Sequence, residues 1–278
     1  MTAFQVRART ELTAQLREAR TAAGLTGAAL AERLGSGWAQ PKISKIESGK
    51  QLPSEAEVRS WAAATGADGA RLLDLRSRAL HEYAAYEDRF DAAGGADRMQ
   101  VSIGEAEQAA SVVRVYLPNL VPGLLQTPEY ARAVITSPGG PLDAGKSADE
   151  VSRMIAARVR RQAILYEPGR EIVLLFGEAA LHTLVADAET MREQIRHIAR
   201  LATTTNATIG VVPFRTAAPV IALHGWSQLD DVVSVETISG ALEIADPAEL
   251  AKYERFVKLL ADVAICGPEL ADFCRGLT

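Results

Sequence analysis

Gly37-Trp38-Ala39-Gln40-Pro41-Lys42-Ile43-Ser44-Lys45-Ile46-Glu47-Ser48-Gly49-Lys50 decides how this chain is read. Proline suits the first turn of a helix, where its missing N–H costs nothing, so Gln40-Pro41 opens one. Ile43 and Ile46 are three apart and face inward. Lys42 and Lys45 are then expected to face outward with Gln40 and Ser44. Gly49 stops the helix. A shorter pattern, Gly27 to Leu34, lies just upstream, with Thr26 as its N-cap. Two short helices of this kind predict a helix-turn-helix, its second helix placed for the DNA major groove.

Working outward, Leu12, Leu16 and Ala19 line one face of a helix from about Thr10 to Ala23, which Gly24 ends. Gly35, Ser36 and Gly37 break the second helix, and Trp38 reads as an apolar anchor for the turn. Pro53-Ser54 starts a fourth helix, whose Val58, Trp61, Ala62 and Thr65 cap a small core. A bundle of four short helices needs no DNA. Against that bland reading stands the third helix, polar and basic where a second packing face is apolar. Glutamine and lysine reach base edges or phosphates, and serine does either. The candidate DNA-binding residues are therefore Thr26, Gln40, Lys42, Ser44, Lys45 and Lys50. Glu47, beside inward Ile46, reads as a structural ion-pair partner, because DNA repels it.

Charge supports this division. The chain has 278 residues and a net charge of −5. Residues 1–80 hold twelve Lys and Arg against eight Asp and Glu, or +4; residues 81–278 hold eighteen against twenty-seven, or −9. A mildly basic module on an acidic body suits specific DNA contact rather than coating of nucleic acid. Apolar residues make up 48% of the chain, enough for real cores. No apolar run is long enough for a membrane span, and Met1 to Arg20 lacks the apolar centre of a signal peptide. Two cysteines, Cys266 and Cys274, make no disulfide framework. A cytoplasmic protein is expected.

Residues 10–66 resemble the lambda-repressor-like helix-turn-helix domain of the XRE type. Leu25-Thr26-Gly27, Leu30-Ala31-Glu32-Arg33-Leu34-Gly35 and Ser44-Lys45-Ile46-Glu47-Ser48-Gly49 carry the resemblance. It implies that Arg20 pairs with Glu47. At Gly27 the chain departs from the family's phosphate-touching glutamine, and its loop before the third helix is longer by about two residues than the family norm.

From Ala67 to Phe90 the spacing predicts one long helix or two, and Asp91 to Ala96 a domain boundary. The expected domains are 1–90, helix-turn-helix with a connecting helix, and 100–278, a larger α+β region. In the second, Ser102 to Val115 begins a new unit, with Val112, Val113 and Val115 apolar and Tyr116-Leu117-Pro118 closing it, while Glu171 to Phe176, Thr208 to Val212 and Val232 to Glu236 read as strands. Helices are expected after Thr127-Pro128, from Ala148 to Tyr166, from Glu178, from Met191 to Thr203 and from Pro247 to Ala264. Val121-Pro122-Gly123-Leu124-Leu125-Gln126-Thr127-Pro128-Glu129-Tyr130-Ala131-Arg132 and Arg158-Val159-Arg160-Arg161-Gln162 resemble the companion domain of the WhiJ-like regulators of filamentous actinobacteria. That resemblance implies an antitoxin-like transcription regulator, often encoded beside a small partner protein. The companion domain is expected to be a sensor or a protein-docking domain. DNA operators with two half-sites imply a homodimer.

Other motifs point elsewhere. Gly140-Pro141-Leu142-Asp143-Ala144-Gly145-Lys146-Ser147 matches the phosphate-loop pattern and offers an alternative function, a nucleotide-binding switch or ATPase. Its context is poor. Pro128 to Ile135 reads as a helix where a buried strand belongs, and Asp143 aims an anion at phosphates. Glu178 with His182 and Glu193 with His197 fall at i,i+4, which ordinary surface pairs explain. Trp226 reads as core, or as a pocket wall near Pro213, Phe214 and His224. No catalytic residue, cofactor or metal is expected.

Overall fold

The computed structural model describes residues 7–138, 147–217 and 219–278. The chain divides into two units. The smaller runs to Tyr83 and takes in Glu243–Asp246; the larger holds Ala84–Leu242 and Pro247–Thr278.

Among its described residues the smaller unit contains five helices: α1 (Arg7–Ala22), α2 (Gly27–Leu34), α3 (Gln40–Glu47), α4 (Glu55–Thr65) and α5 (Gly69–Leu80). Their ends follow the expected chemistry. Thr26 caps α2 by accepting a hydrogen bond from the Ala29 N–H at 3.1 Å. Ser54 and Glu57 form a reciprocal capping box at α4. Leu12, Leu16, Leu30, Ile43, Ile46, Val58, Trp61 and Leu75 close one core. The buried Trp61 indole N–H donates to the Leu16 carbonyl at 3.1 Å, so its polar edge is satisfied.

Two corrections fall at its end. The stretch expected to be helical through Phe90 is interrupted by strand β1 (His81–Ala85), followed by α6 (Tyr86–Ala93). Asp91 to Ala96, expected as a domain boundary, is occupied by a helix end and a helix start. It ends α6 at Gly94, whose φ is +78°, and begins α7 (Ala96–Ala109). The division between units lies earlier, after Tyr83.

The chain continues through β2 (Val112–Leu117), a 3₁₀ turn at Gly123–Leu125, α8 (Pro128–Ile135), α9 (Ala148–Arg161) and a second 3₁₀ turn at Gln162–Tyr166. Next come β3 (Glu171–Gly177), α10 (Ala179–His182), α11 (Ala188–Thr204), β4 (Thr208–Val212), β5 (Trp226–Leu229), β6 (Val232–Glu236) and β7 (Gly240–Ile244). Helix α12 (Pro247–Ala261), β8 (Ile265–Cys266) and α13 (Gly267–Arg275) complete it. The sheet has eight strands in the order β1-β7-β6-β5-β2-β3-β4-β8. It is mixed: β2, β3 and β4 are parallel neighbours, while β5 runs antiparallel to β2 and β8 to β4. The expected α+β class is therefore present.

Ile172, Leu174 and Phe176 of β3 and Ile209 and Val211 of β4 are buried with Ile195, Ile198 and Leu201 of α11. Leu124 and Leu125 belong to the same core. Cys266 and Cys274 are free thiols. Among the described residues no helix is long and apolar enough to cross a membrane.

Candidate nucleic-acid interface and a buried polar cavity

Helix α3 buries Ile43 and Ile46 and leaves Gln40, Ser44 and Lys45 exposed. It ends in a Schellman motif. The Gly49 N–H donates to the Ile46 carbonyl at 3.0 Å, and the Lys50 N–H to the Lys45 carbonyl at 2.9 Å. That motif requires the left-handed backbone of Gly49, with φ +72°. Beyond the turn Lys50 is exposed. Thr26 is exposed, its oxygen committed to Ala29 while its O–H remains a donor. Gly27 sits against α3: a Cβ there would meet Gln40 Cγ at 3.6 Å and Ile43 Cγ2 at 3.7 Å.

Lys42 is a correction. Its ammonium bonds Glu57 Oε1 at 2.7 Å and the Gly37 carbonyl at 3.2 Å, and lies 4.7 Å from the Trp38 ring centre. The acid at the start of α4 and the indole draw it off the outward face. Burial pushes the Glu57 carboxyl up, but Lys42 and the Ser54 amide outweigh this, so Glu57 ionises below its ordinary range. Trp38 anchors the turn, packing edge-on against Trp61 with centres 5.9 Å apart. The outward strip is thus Gln40, Ser44, Lys45 and Lys50, with Lys42 holding the turn.

Arg20 pairs with Glu47 in two hydrogen bonds, Nε to Oε1 at 2.5 Å and Nη2 to Oε2 at 3.0 Å. Its Nη1 also donates to the Leu25 carbonyl at 2.7 Å. The side chains are 14% and 10% exposed, so the pair is largely withdrawn from water. Glu47 holds the Arg20 guanidinium above its usual pKa, against the effect of burial. The pair ties α1 to the outward helix.

The second constellation, in the larger unit, was not foreseen. Gln100 and Glu107 of α7 lie seven apart on one helix face, and Arg158 and Arg161 of α9 lie three apart. Gln100 Oε1 accepts from Arg158 Nε at 3.3 Å and from Arg161 Nη1 at 3.1 Å. Glu107 takes Arg161 in a two-point pair, at 2.6 Å and 2.5 Å. Gly104 lets the Arg161 stem approach α7, for a Cβ there would meet Arg161 Cγ at 2.9 Å.

The motif Val121 to Tyr130 supplies the rest. Gln126 is buried; its amide N–H donates to the Val121 carbonyl at 2.8 Å, and its oxygen accepts from Arg158 Nη1 at 2.8 Å. Gln194 of α11 fastens the segment, donating to the Leu125 carbonyl at 2.7 Å and accepting from the Thr127 N–H at 2.7 Å. Gln162 donates to the Gln126 carbonyl at 2.6 Å. The Pro122-Gly123-Leu124-Leu125 turn is thus core packing that also aims Gln126 at Arg158.

Gln100, Glu107, Gln126, Arg158 and Arg161 line a cavity of about 420 Å³, whose walls include Trp226. Pro213, Phe214 and His224 are not among its lining residues, although His224 and Trp226 both pack on Tyr253. Phe214 instead stacks on His182 with centres 5.7 Å apart. His182 meets Glu178 at 3.2 Å as a surface pair, whereas His197 turns to Arg200 at 2.8 Å rather than to Glu193. No group of three His, Cys, Asp or Glu suited to a metal occurs among the described residues. In the phosphate-loop match, residues 140–146 lie outside the described residues. Ser147 caps α9 in a box with Glu150, and the element before the match is helix α8.

The signal for Arg158 was present in the sequence. Val151, Met154 and Ile155 are buried on α9, and Arg158 continues their spacing.

Comparison with known proteins gives two family matches. Residues 11–75 match a helix-turn-helix domain. Residues 100–275 match the domain of unknown function DUF5753. No curated protein and no solved structure matches the chain.

Proposed function

The chain belongs to the family defined by the domain of unknown function DUF5753, and from that premise we propose that it is a sequence-specific DNA-binding transcription regulator. The helix-turn-helix match supports DNA binding. The observation that carries the finer reading is the division of α3, with Ile43 and Ile46 in the core and Gln40, Ser44 and Lys45 exposed on one short helix. Gln40 reads a base edge; Lys45 and Lys50 contact phosphates. Two copies of the chain present two such helices to a symmetric operator. The DUF5753 domain acts as the regulatory part, antitoxin-like in that a small partner protein or ligand engages it and shifts operator affinity. Catalysis plays no part.

The test is selection of duplexes from a random library with the full-length chain, repeated with Gln40→Ala. The expected result is an enriched motif with half-sites about 10 base pairs apart. Gln40→Ala relaxes one position of that motif and costs about 1–3 kcal/mol on the operator. Failure to enrich any sequence refutes specific reading. Equal losses on operator and random DNA refute the role of Gln40.

A further inference from the structure

The cavity of the larger unit holds two polar side chains with unspent hydrogen-bonding capacity. Arg158 is only 9% exposed, and no carboxylate lies within salt-bridge distance of it among the described residues. Its hydrogen bonds go to two neutral amides, through Nε and Nη1, and Nη2 makes none among the described residues. Ser234 of β6 also lines the cavity, is 5% exposed, and its buried hydroxyl has no hydrogen-bond partner.

A buried charge without a counter-charge is costly, and a buried hydroxyl without a partner is rare. The neighbouring Arg161 does not relieve the imbalance, because Glu107 already neutralises it. Of the two carboxylates that line the cavity, Glu107 is spent on Arg161 and Glu236 is exposed, so among the described residues no carboxylate touches Arg158 inside it. Burial, and after it the Arg161 charge, push the Arg158 guanidinium down to about 10 against the opposing charges of Glu236 and Glu107, so it is cationic at neutral pH.

The remaining wall is largely apolar, with Ile103, Val115, Leu120, Leu124 and Trp226 among its residues. The volume of about 420 Å³ lies in the range of small-molecule sites. Exposed Asn119 and Glu236 are also lining residues, so the cavity reaches the surface.

We propose that this cavity binds a small, mainly apolar molecule bearing a single carboxylate, which pairs with Arg158 while its body lies against the aliphatic wall and Trp226. A single carboxylate supplies the contact that Arg158 lacks, whereas a doubly charged phosphate brings a second negative charge toward Glu107 and Glu236. The Ser234 hydroxyl supplies a second polar point for a hydroxyl or carbonyl on the ligand. The site gives the regulatory domain a ligand class and rests on the reading given above only for its effect on DNA.

The test uses the full-length chain and two probes of nearly equal shape, 1-naphthaleneacetate and neutral 1-naphthaleneacetamide, titrated by calorimetry. The acid is expected to bind at least ten-fold tighter than the amide. Arg158→Gln removes that preference while the amide still binds, and Arg158→Lys, which keeps the charge, retains it. Thermal unfolding of each variant checks the fold, and the lysine variant keeps the test decisive should the glutamine variant not fold. Leu120→Trp, which fills the cavity, abolishes binding of both probes. Equal affinities in the unaltered chain, no binding of the acid at millimolar concentration, or a preference that survives Arg158→Gln overturns the proposal. Duplex binding is measured separately without probe. Its absence sinks the regulator reading and leaves the cavity standing; probe binding that leaves operator affinity unchanged separates the two in the other direction.

Discussion

Removing either charge of the Arg20–Glu47 pair tests what holds the outward helix in place. Exposed ion pairs contribute about 0.2–1 kcal/mol, whereas breaking a buried one costs about 3–5 kcal/mol because the survivor stays desolvated. Side chains 14% and 10% exposed, in a two-point geometry, lie near the buried end. Residual partners soften the loss. Arg20 keeps the Leu25 carbonyl, and Glu47 keeps Arg17, whose Nε lies 3.8 Å from its carboxylate. Either single change, Arg20→Met or Glu47→Gln, is therefore expected to cost about 2–3 kcal/mol. The double change is expected to cost about as much as one, which leaves a coupling of about 2 kcal/mol. The assay is urea unfolding of the full chain in a Trp226→Phe background. Trp38 and Trp61 then report the helical core alone, since the chain has three tryptophans. A coupling below about 0.5 kcal/mol, within ordinary additivity error, refutes the assignment.

Lys45→Ala is expected to weaken all duplexes alike and to lower the salt slope of binding by about 1, whereas Lys42→Ala leaves the slope unchanged and lowers stability; filter binding across salt concentrations with parallel unfolding separates them. The Glu57–Lys42 contact carries a definite pH sign. Glu57 ionises below its ordinary range, so its contribution is full above the unfolded carboxylate pKa of about 4.3 and is lost as pH falls through the lower folded value. Glu57→Gln should accordingly flatten the acid limb of stability measured by urea midpoint, and an unchanged limb refutes the pairing. Titration with magnesium ATP or GTP is expected to give only heats of dilution, and micromolar affinity lost in Lys146→Ala would revive the phosphate-loop alternative.

Local chemistry made the helices legible. Thr26, Pro41, Ser54 and Thr127 mark helix starts through side-chain and proline rules that operate within four residues. The strands β2, β5, β7 and β8 escaped because Val112–Leu117, Trp226–Leu229, Gly240–Ile244 and Ile265–Cys266 acquire their form from neighbours distant in sequence. β1 was mistaken for helix because Leu72, Leu75 and Ala79 set a helical spacing that tertiary pairing then overrides at His81. In the outward strip Lys42 was misplaced because its partner Glu57 comes from another helix. The cavity cluster hid for a related reason. Four arginines in one helix look like a solvated face until α7 and Gln126 are laid beside them.

The smaller unit is not a continuous length of chain: Glu243–Asp246 belong to it, and the Ala245 N–H donates to the Leu80 carbonyl at 2.9 Å. This gives the protein a clock during synthesis. Residue 243 leaves the ribosome 160 residues after Tyr83. At about 5–20 residues per second that is a wait of roughly 8–32 s. The core from Leu12 to Leu75 lies entirely upstream, so it is synthesised whole before the partner of the Leu80 carbonyl emerges. A fragment cut at residue 90 is frozen in that interval. It keeps the outward helix yet lacks the four residues that finish the unit, and its stability understates that of the same helices in the complete protein.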